Sequence, residues 1–418
     1  MRKNLVLLLI SAALCTVVFE GAVRVFVKRS PVAYGTLLGR DLPPLRVIPP
    51  RLPAAEVATP TTNGDGDTDD WADLQGVLRE DPLLGYAPQE RTTSPHRWWI
   101  TNNVGARSAA DTSPEPLAGQ RRILVFGESF ASGSRVRQAE AWTSVLAAGA
   151  ADLEVVNLAV DGYGMGQSLL RFRQTTSGLD YDTAMLVFVP TSDLWRDVNT
   201  IRSLAKPSWN SYTVMPRFVE RDGRLTLVAS PYQVGSDVYA DNALGLGEAL
   251  RRHLRAYDRF YFRTRYESPP LIGDLVLYKI AATVSFTLQR SLLLHRMGAG
   301  HFDLDSEAMR VSRMIFAAMR DETGARGKRF VLVILPERSE LRHIRRSAGS
   351  ARNWRQMVAM LCADTPCIDL EPTLSSAPPE ELDRGYDRSH YGPRTNRVIA
   401  AAVQAGLRRL GPLSASRP

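Results

Sequence analysis

The stretch RRILVFGESFASGSRV, residues 121–136, indicates the fold of this chain. Its apolar part, residues 123–126, is typical of a buried strand that ends at a breaker, Gly127. Ser129 follows at once, and small residues and then a helical pattern come after it. Open α/β sheets bind their ligands beyond the carboxyl ends of the strands. Ser129 is therefore a candidate nucleophile.

Strand-like and helical segments alternate through most of the chain. Apolar runs predict strands at residues 123–126, 153–160, 183–189, 330–335 and 367–370. Helical spacing predicts helices at residues 138–150, after Gln167, and at 305–320, 354–361 and 395–410. This alternation predicts an α/β fold with a parallel, doubly wound sheet. Right-handed crossovers would place the strand ends on one edge of that sheet.

Residues 200–300 interrupt the alternation, and we predict an insertion there within a domain that spans residues 81–418. The runs on both sides of Asp222 and Gly223 alternate apolar and polar residues, which predicts a β-hairpin. Residues 275–294 are apolar, but Lys279, Gln289 and Arg290 interrupt them. This pattern favours a buried or capping helix over a membrane span.

The composition is ordinary for a globular protein of 418 residues, apart from a net charge of +8. This excess fits an anionic membrane surface or a polyanionic substrate at least as well as nucleic acid, and we expect no nucleic-acid partner. The sequence has no zinc-ligand spacing, Walker loop or dinucleotide fingerprint. We therefore expect neither a metal nor a cofactor. The sequence leaves the oligomeric state open.

The N-terminal residues predict a membrane anchor followed by a spacer. Arg2 and Lys3 precede a mostly apolar run, and residues 1–29 are just long enough for a transmembrane helix. A cleaved signal peptide is the alternative, but no A-x-A-like cleavage site follows the run. Residues 30–80 are rich in proline and then acidic, which predicts a semi-rigid linker. The remaining chain would then lie outside the cytoplasm.

Two of the three cysteines, Cys362 and Cys367, lie close together in the sequence, while Cys15 lies in the predicted anchor. The close pair could form a small disulfide loop in an oxidising compartment. Two unpaired, buried thiols are an equally good interpretation.

Asp387 and His390 are separated by two residues just before the last predicted helix. In a tight turn, residues at this spacing face the same side, so the carboxylate can orient the imidazole. His390 would then take the proton of Ser129, and Asp387 would stabilise the imidazolium. An Asp-x-x-His pattern by itself is also common as a surface accident.

An acyl-transfer site also needs hydrogen-bond donors for the oxyanion. The backbone N–H groups of Ser129 and Gly162 are two candidates, since each follows a predicted strand. The third predicted strand ends near Ser192, whose hydroxyl is the third candidate. The strained G-x-S-x-G elbow of α/β-hydrolases is absent because Ala131 occupies its last position.

Three segments, GESFASG, NLAVDG and DRSH, resemble the sequence blocks of the SGNH/GDSL hydrolases. They also occur in the same order as in that family. The resemblance covers residues 81–410 and implies a flavodoxin-like three-layer α/β/α fold. It also implies ester hydrolysis or acyl transfer through Ser129, Asp387 and His390. The predicted anchor and linker are similar to those of membrane-tethered bacterial members. This similarity implies a single-pass protein of the bacterial inner membrane with a periplasmic catalytic domain.

The sequence departs from the family pattern at two positions. Glu128 replaces the aspartate of the first block, and Ser192 replaces an asparagine that donates to the oxyanion. A serine hydroxyl is shorter and can accept instead of donating; Thr191 could serve as the donor if the local register shifts.

From the resemblance we expect an esterase or O-acyltransferase acting on acyl groups, above all acetyl groups, of envelope carbohydrate or lipid. A weak or inactive glycan-binding component is the alternative.

Overall fold

The computed structural model describes residues 2–48, 73–74, 76–206, 213–232, 246–298, 300–385, 387 and 389–411. The chain forms two compact units. One consists of Met1–Val57, Ile201–Thr213 and Ser236–Leu293, and the other of Ala58–Thr200, Val214–Gly235 and Leu294–Pro418.

The strands of the described residues are β1 (Ala33–Leu37), β2 (Arg40–Leu45), β3 (Leu78–Asp81), β4 (Gly85–Pro88), β5 (Arg121–Phe126), β6 (Leu153–Asn157), β7 (Thr183–Phe188), β8 (Arg217–Arg221), β9 (Arg224–Val228), β10 (Met297–Gly298), β11 (His301–Phe302), β12 (Arg329–Ile334) and β13 (Cys367–Asp369). The α-helices are α1 (Arg2–Arg24), α2 (Ser129–Ser132), α3 (Trp142–Ala148), α4 (Met165–Thr175), α5 (Pro190–Asp197), α6 (Arg202–Ala205), α7 (Glu248–Tyr257), α8 (Arg263–Tyr266), α9 (Val276–His295), α10 (Glu307–Gly324), α11 (Arg338–Arg346), α12 (Ala348–Cys362), α13 (Glu371–Ser376) and α14 (Pro393–Arg409).

The second unit is built on a five-stranded parallel sheet in the order β13-β12-β7-β5-β6. If these five strands are numbered along the chain, the spatial order is 2-1-3-4-5, which is the flavodoxin-like order. The predicted parallel, doubly wound sheet is therefore confirmed. Strand β6 ends at Asn157, earlier than predicted.

Both faces of this sheet are covered by helices, which makes three layers. On one face, the side chains of Ile123 and Val187 belong to a buried cluster that includes Trp142 of α3 and Ile399 of α14. On the other face, Phe126 packs against Phe172 of α4, with ring centroids 5.7 Å apart. Phe188 packs in the same way against Phe316 of α10, at 5.1 Å. These strands are apolar on both faces because neither face contacts water.

The strand order reverses between β5 and β7, which are neighbours in the sheet but not in the sequence. This position is where doubly wound sheets open a ligand crevice. Ser129 comes directly after β5, and α5 begins directly after β7. The topology thus places the candidate nucleophile at the switch point of the sheet.

The predicted hairpin is formed by β8 and β9, which pair antiparallel across Asp222 and Gly223. Both turn residues have positive φ, 51° and 70°. Such angles are required by the type I′ turns that suit the twist of a two-stranded hairpin. The hairpin belongs to the unit that contains the sheet.

The other unit contains a second hairpin, formed by β1 and β2, within the segment that was predicted to be a linker. The linker prediction is wrong for residues 33–48, because Leu42, Val47 and Ile48 are buried there. Burial of these apolar side chains outweighs the tendency of the prolines toward an extended spacer. Residues 49–72 and 75 of the predicted linker lie outside the described residues.

Helix α1 occupies most of the segment for which a membrane anchor is predicted. The carboxylate of Glu20 near its end accepts hydrogen bonds from the backbone N–H groups of Val276 and Leu277, at 2.7 and 3.0 Å. It thereby satisfies free donors at the start of α9. Burial alone would raise the pKa of Glu20, but these bonds lower it.

No helix in the described part of the chain is both long enough and apolar enough to cross a membrane. The predicted transmembrane anchor at residues 1–29 is therefore not confirmed.

Candidate active site

Ser129 is held at the first position of the short helix α2 by a tight turn after β5. Gly127 has a φ of +147°, and a Cβ atom there would lie 2.9 Å from the carbonyl oxygen of Val187. Only glycine fits this turn without displacing the neighbouring strand. The Glu128 side chain caps the helix by accepting a hydrogen bond of 2.7 Å from the backbone N–H of Phe130.

The structure brings Ser129, His390 and Asp387 together in a chain of hydrogen bonds. The Nε2 atom of His390 lies 2.8 Å from the Oγ atom of Ser129. Its Nδ1 atom lies 2.6 Å from the Oδ2 atom of Asp387. The nucleophile, imidazole and carboxylate are thus arranged as in a serine-hydrolase triad, with the imidazole between the two oxygens. The sequence spacing alone had left the contact with Ser129 open.

The turn that carries Asp387 and His390 explains why two residues separate them. The Oδ1 atom of Asp387 accepts hydrogen bonds of 3.0 Å from the backbone N–H groups of Ser389 and His390. These bonds close an Asx turn, which directs the second carboxylate oxygen toward the imidazole of His390. The Ser389 hydroxyl also donates to Asp387.

The charges in this turn change the proton affinities of both groups. Burial alone would raise the pKa of Asp387, but its hydrogen bond and charge interaction with His390 hold that pKa well below its usual range. Burial alone would lower the pKa of His390, but the hydrogen bond and charge of Asp387 raise it above the usual value. The pair therefore favours an ionised carboxylate that stabilises the imidazolium.

The imidazole is also held by aromatic packing. The ring of Phe130 lies 4.5 Å from the ring of His390, centroid to centroid. The ring of Tyr391 meets Phe130 edge to face at 5.5 Å. Tyr391 is fixed in turn, since its hydroxyl donates a hydrogen bond of 2.6 Å to the carbonyl of Pro336. Ser129 and His390 thus share one packed aromatic neighbour.

Two backbone N–H groups remain available for an oxyanion. Within the described residues, neither the N–H of Ser129 nor that of Gly162 donates to another group. Gly162 lies in a turn with a φ of +79°. The preceding residue, Asp161, fixes this turn, because its carboxylate accepts hydrogen bonds of 2.6 and 2.5 Å from the hydroxyls of Ser132 and Ser134. The residues that precede the two predicted donors, Glu128 and Asp161, are thus both held by hydrogen bonds.

Ser192, the predicted third donor, has a different partner. Its hydroxyl donates to the carboxylate of Glu337, so its single proton is used there. The hydroxyl of Thr191, the alternative donor, bonds to Glu340 in the same manner. In this structure the Ser192 hydroxyl therefore donates elsewhere than to the predicted oxyanion position. The physical reason is that α5 begins at Pro190 and places both hydroxyls against acidic residues at the start of α11.

A buried ionic network beside Ser129 was not predicted from the sequence. The Oε2 atom of Glu128 lies 2.6 Å from the Ser129 hydroxyl and 3.2 Å from the guanidinium of Arg196. Arg196 also lies 3.7 Å from the carboxylate of Asp193. All three charged side chains are at most 4% exposed. One guanidinium thus lies between two buried carboxylates.

Burial and the charge of Glu128 raise the pKa of Asp193 well above its usual range. Burial alone would lower the pKa of Arg196, but the charges of Glu128 and Asp193 raise it. A protonated Asp193 would leave one ion pair, between Arg196 and Glu128. No local pattern in the sequence signals the contact of Arg196 with Glu128, because the two residues are 68 positions apart.

The Ser129 hydroxyl has one proton and two acceptors within hydrogen-bond distance, Glu128 and His390. With a neutral imidazole, the proton can bridge to His390 as base catalysis requires. With an imidazolium, Nε2–H donates to the Ser129 oxygen, and the serine proton goes to Glu128. The negative charge of Glu128 therefore favours the protonated form of His390.

Removal of the buried cation should destabilise the protein strongly. We expect Arg196→Leu to lower the free energy of unfolding by about 3–5 kcal/mol, because Glu128 would stay buried without a countercharge. Urea-induced unfolding measures this loss. Arg397→Leu, at an exposed position of α14, is the control and should change stability by no more than about 0.5 kcal/mol. Equal stability of the two variants would contradict the structural role of the network.

No protein-family model and no curated protein matches the chain. Solved structures that resemble it include an alpha/beta hydrolase enzyme from the metagenome of Lake Arreo, Spain, with 13% identity and a TM-score of 0.34, covering 71% of this chain and 99% of its own. A putative lipolytic protein of the G-D-S-L family from Desulfitobacterium hafniense has 11% identity and a TM-score of 0.32, covering 69% and 100%.

An acetylxylan esterase from Geobacillus stearothermophilus has 12% identity and a TM-score of 0.34, and the match covers 72% of this chain and 99% of the esterase.

Proposed function

We propose that the chain is a serine-dependent ester hydrolase or O-acyltransferase of the SGNH/GDSL type. The observation that carries the proposal is the continuous contact from Ser129 Oγ to His390 Nε2, at 2.8 Å, and from His390 Nδ1 to Asp387, at 2.6 Å. Two of the three sequence blocks that resemble this family, GESFASG and DRSH, supply these three residues.

The reaction would begin with attack of the Ser129 oxygen on the ester carbonyl carbon, while His390 takes the serine proton. The backbone N–H groups of Ser129 and Gly162 would stabilise the negative oxygen of the tetrahedral intermediate. The bond to the leaving alcohol then breaks, and His390 returns the proton to the alcohol oxygen. The product of this half-reaction is an acyl-Ser129 ester.

In the second half-reaction, water or a sugar hydroxyl would lose a proton to His390 and attack the acyl carbon. Ser129 leaves as the alcohol and recovers the proton. Water gives hydrolysis and a sugar hydroxyl gives acyl transfer. We infer that the acyl group, in the simplest case acetyl, is carried by envelope carbohydrate or lipid.

We also propose that the protein acts outside the cytoplasm of a bacterial cell. The disulfide between Cys362 and Cys367 supports this location, because such bonds are rare in reducing compartments. Of the two interpretations that the sequence allowed for these cysteines, the structure contains the bonded one.

A fluorophosphonate probe tests the proposal, because it reacts with serines that a neighbouring base activates. We expect covalent labelling of the full-length chain, detected by intact mass, with loss of labelling in Ser129→Ala and in His390→Ala. Ser177→Ala, at an exposed position, is the matched control and should be labelled like the parent. Absence of labelling in the folded parent protein would favour the glycan-binding alternative.

A further inference from the structure

A cavity of about 330 Å³ lies beside the turn that carries His390. Ser389 and Tyr391, the two neighbours of His390 in the chain, both line it. His390, which lies between these two residues in the chain and reaches Ser129 at 2.8 Å, does not itself line the cavity, and neither does Ser129. An extended ester substrate could place a second group in the cavity while its ester lies at Ser129.

The lining of this cavity carries an excess of positive charge. Its charged residues are one carboxylate, Glu337, and four arginines, Arg338, Arg342, Arg345 and Arg384. The carboxylate already accepts hydrogen bonds from the hydroxyls of Ser192 and Ser339. The cavity thus presents guanidinium groups rather than a balanced set of charges.

Two of the four guanidinium groups are fixed by backbone carbonyls, which hold them without neutralising them. Arg338 donates to the carbonyl oxygens of Leu382 and Asp383, at 2.6 and 2.9 Å. Arg345 donates to those of Leu374 and Ser375, at 3.0 Å each. These contacts orient the two side chains in the cavity wall.

Arg342 and Arg384 form no ion pair within the residues that the structure describes, and both are exposed. Burial, and then the charges of Arg384 and Arg342, lower the pKa of Arg338. The like charges therefore repel one another across the cavity. A bound anion would relieve this repulsion and could form paired hydrogen bonds with a planar guanidinium.

We propose that this cavity binds an anionic group, a carboxylate or a phosphate, carried by the ester substrate. The protein would then prefer acyl esters of acidic carbohydrate to those of neutral carbohydrate. The inference rests on the proposed ester chemistry of Ser129 and names the class of its substrate. The net charge of +8 is consistent with attraction of a polyanion.

Three acetylated substrates test this preference: an acetylated cello-oligosaccharide, which is neutral, an acetylated oligogalacturonide, which carries carboxylates, and acetylated glucose 6-phosphate. We expect kcat/KM to be about tenfold higher, or more, for at least one of the anionic esters. The better anionic substrate identifies the group that the cavity binds.

The double variant Arg342→Gln/Arg384→Gln should reduce the ratio of anionic to neutral kcat/KM to near one. Both positions are exposed, so circular dichroism should show an unchanged fold. Arg346→Gln is the matched control, since Arg346 is an exposed arginine of the same helix, α11, that does not line the cavity. The control should keep the preference of the parent.

Equal kcat/KM for all three esters, with hydrolysis that depends on Ser129, would overturn the inference and leave the proposed function intact. If no ester is cleaved, the proposed function is contradicted. The inference that the cavity binds an anion is then tested separately by measuring anion binding. Calorimetric titration of Ser129→Ala with oligogalacturonide and with glucose 6-phosphate should show binding of at least one, lost when Arg342 and Arg384 are also replaced. Absence of binding of both anions would overturn the inference.

Discussion

Ser129→Ala is expected to lower kcat/KM for a short-chain 4-nitrophenyl ester by about 10⁴-fold or more. The variant keeps the fold and the backbone donors but has no oxygen to attack the carbonyl carbon, so covalent catalysis is lost. Residual acceleration by the oxyanion donors and by binding is small compared with the complete triad. Steady-state rates measured by release of 4-nitrophenolate give the size of the loss.

Two controls make the result specific to the nucleophile. Ser177→Ala, at an exposed site, should retain the rate of the parent. Thermal unfolding of Ser129→Ala should show that the variant is folded. An alanine variant that cleaves the ester as fast as the parent protein would exclude Ser129 as the nucleophile.

Asp387→Asn is expected to have the second largest effect, a decrease in kcat of about 10³- to 10⁴-fold. The amide can still occupy the turn, but it cannot stabilise an imidazolium and can hold His390 in the wrong tautomer. Asp152→Asn replaces an exposed carboxylate and serves as the control. A rate close to that of the parent would show that Asp387 does not orient His390.

The pH profile separates this electrostatic role from loss of structure. Catalysis needs neutral His390, so activity should fall as the pH drops through the imidazole pKa, which Asp387 raises above its usual value of about 6.5. The ascending limb of kcat/KM for the parent should therefore lie above pH of about 6.5. In Asp387→Asn the carboxylate charge that raises the pKa of His390 is absent, so the ascending limb of kcat/KM should move to lower pH.

An unchanged limb together with a lower plateau would mean that Asp387 acts only through geometry. Asp152→Asn should shift neither the limb nor the plateau.

The two departures from the SGNH/GDSL pattern have different consequences in the structure. Glu128 reaches the Ser129 hydroxyl and pairs with Arg196, so this position participates in the electrostatics of the site. Ser192 instead bonds to Glu337, next to the arginine-lined cavity. The backbone N–H groups of Ser129 and Gly162 remain the proposed oxyanion donors. The proposed oxyanion stabilisation therefore depends on donors from the first two sequence blocks, without the side chain at position 192.

The amino-acid sequence by itself was sufficient for the parallel sheet. Runs such as residues 123–126 and 330–335 are apolar at every position because both faces of the sheet are covered, and this signal is local. Right-handed crossovers then bring the ends of such strands to one edge. For this reason the sequence predicts that Ser129 and Gly162 lie near each other.

Only the tertiary structure decided which side chains share protons and charges at that edge. Glu128 and Arg196 are 68 residues apart, and Ser192 and Glu337 are 145 residues apart. Hydrogen-bond partners at such separations leave no periodic pattern, since their contact depends on how whole elements pack. The same reason applies to residues 33–48, where Leu42, Val47 and Ile48 are buried through contacts that composition does not reveal.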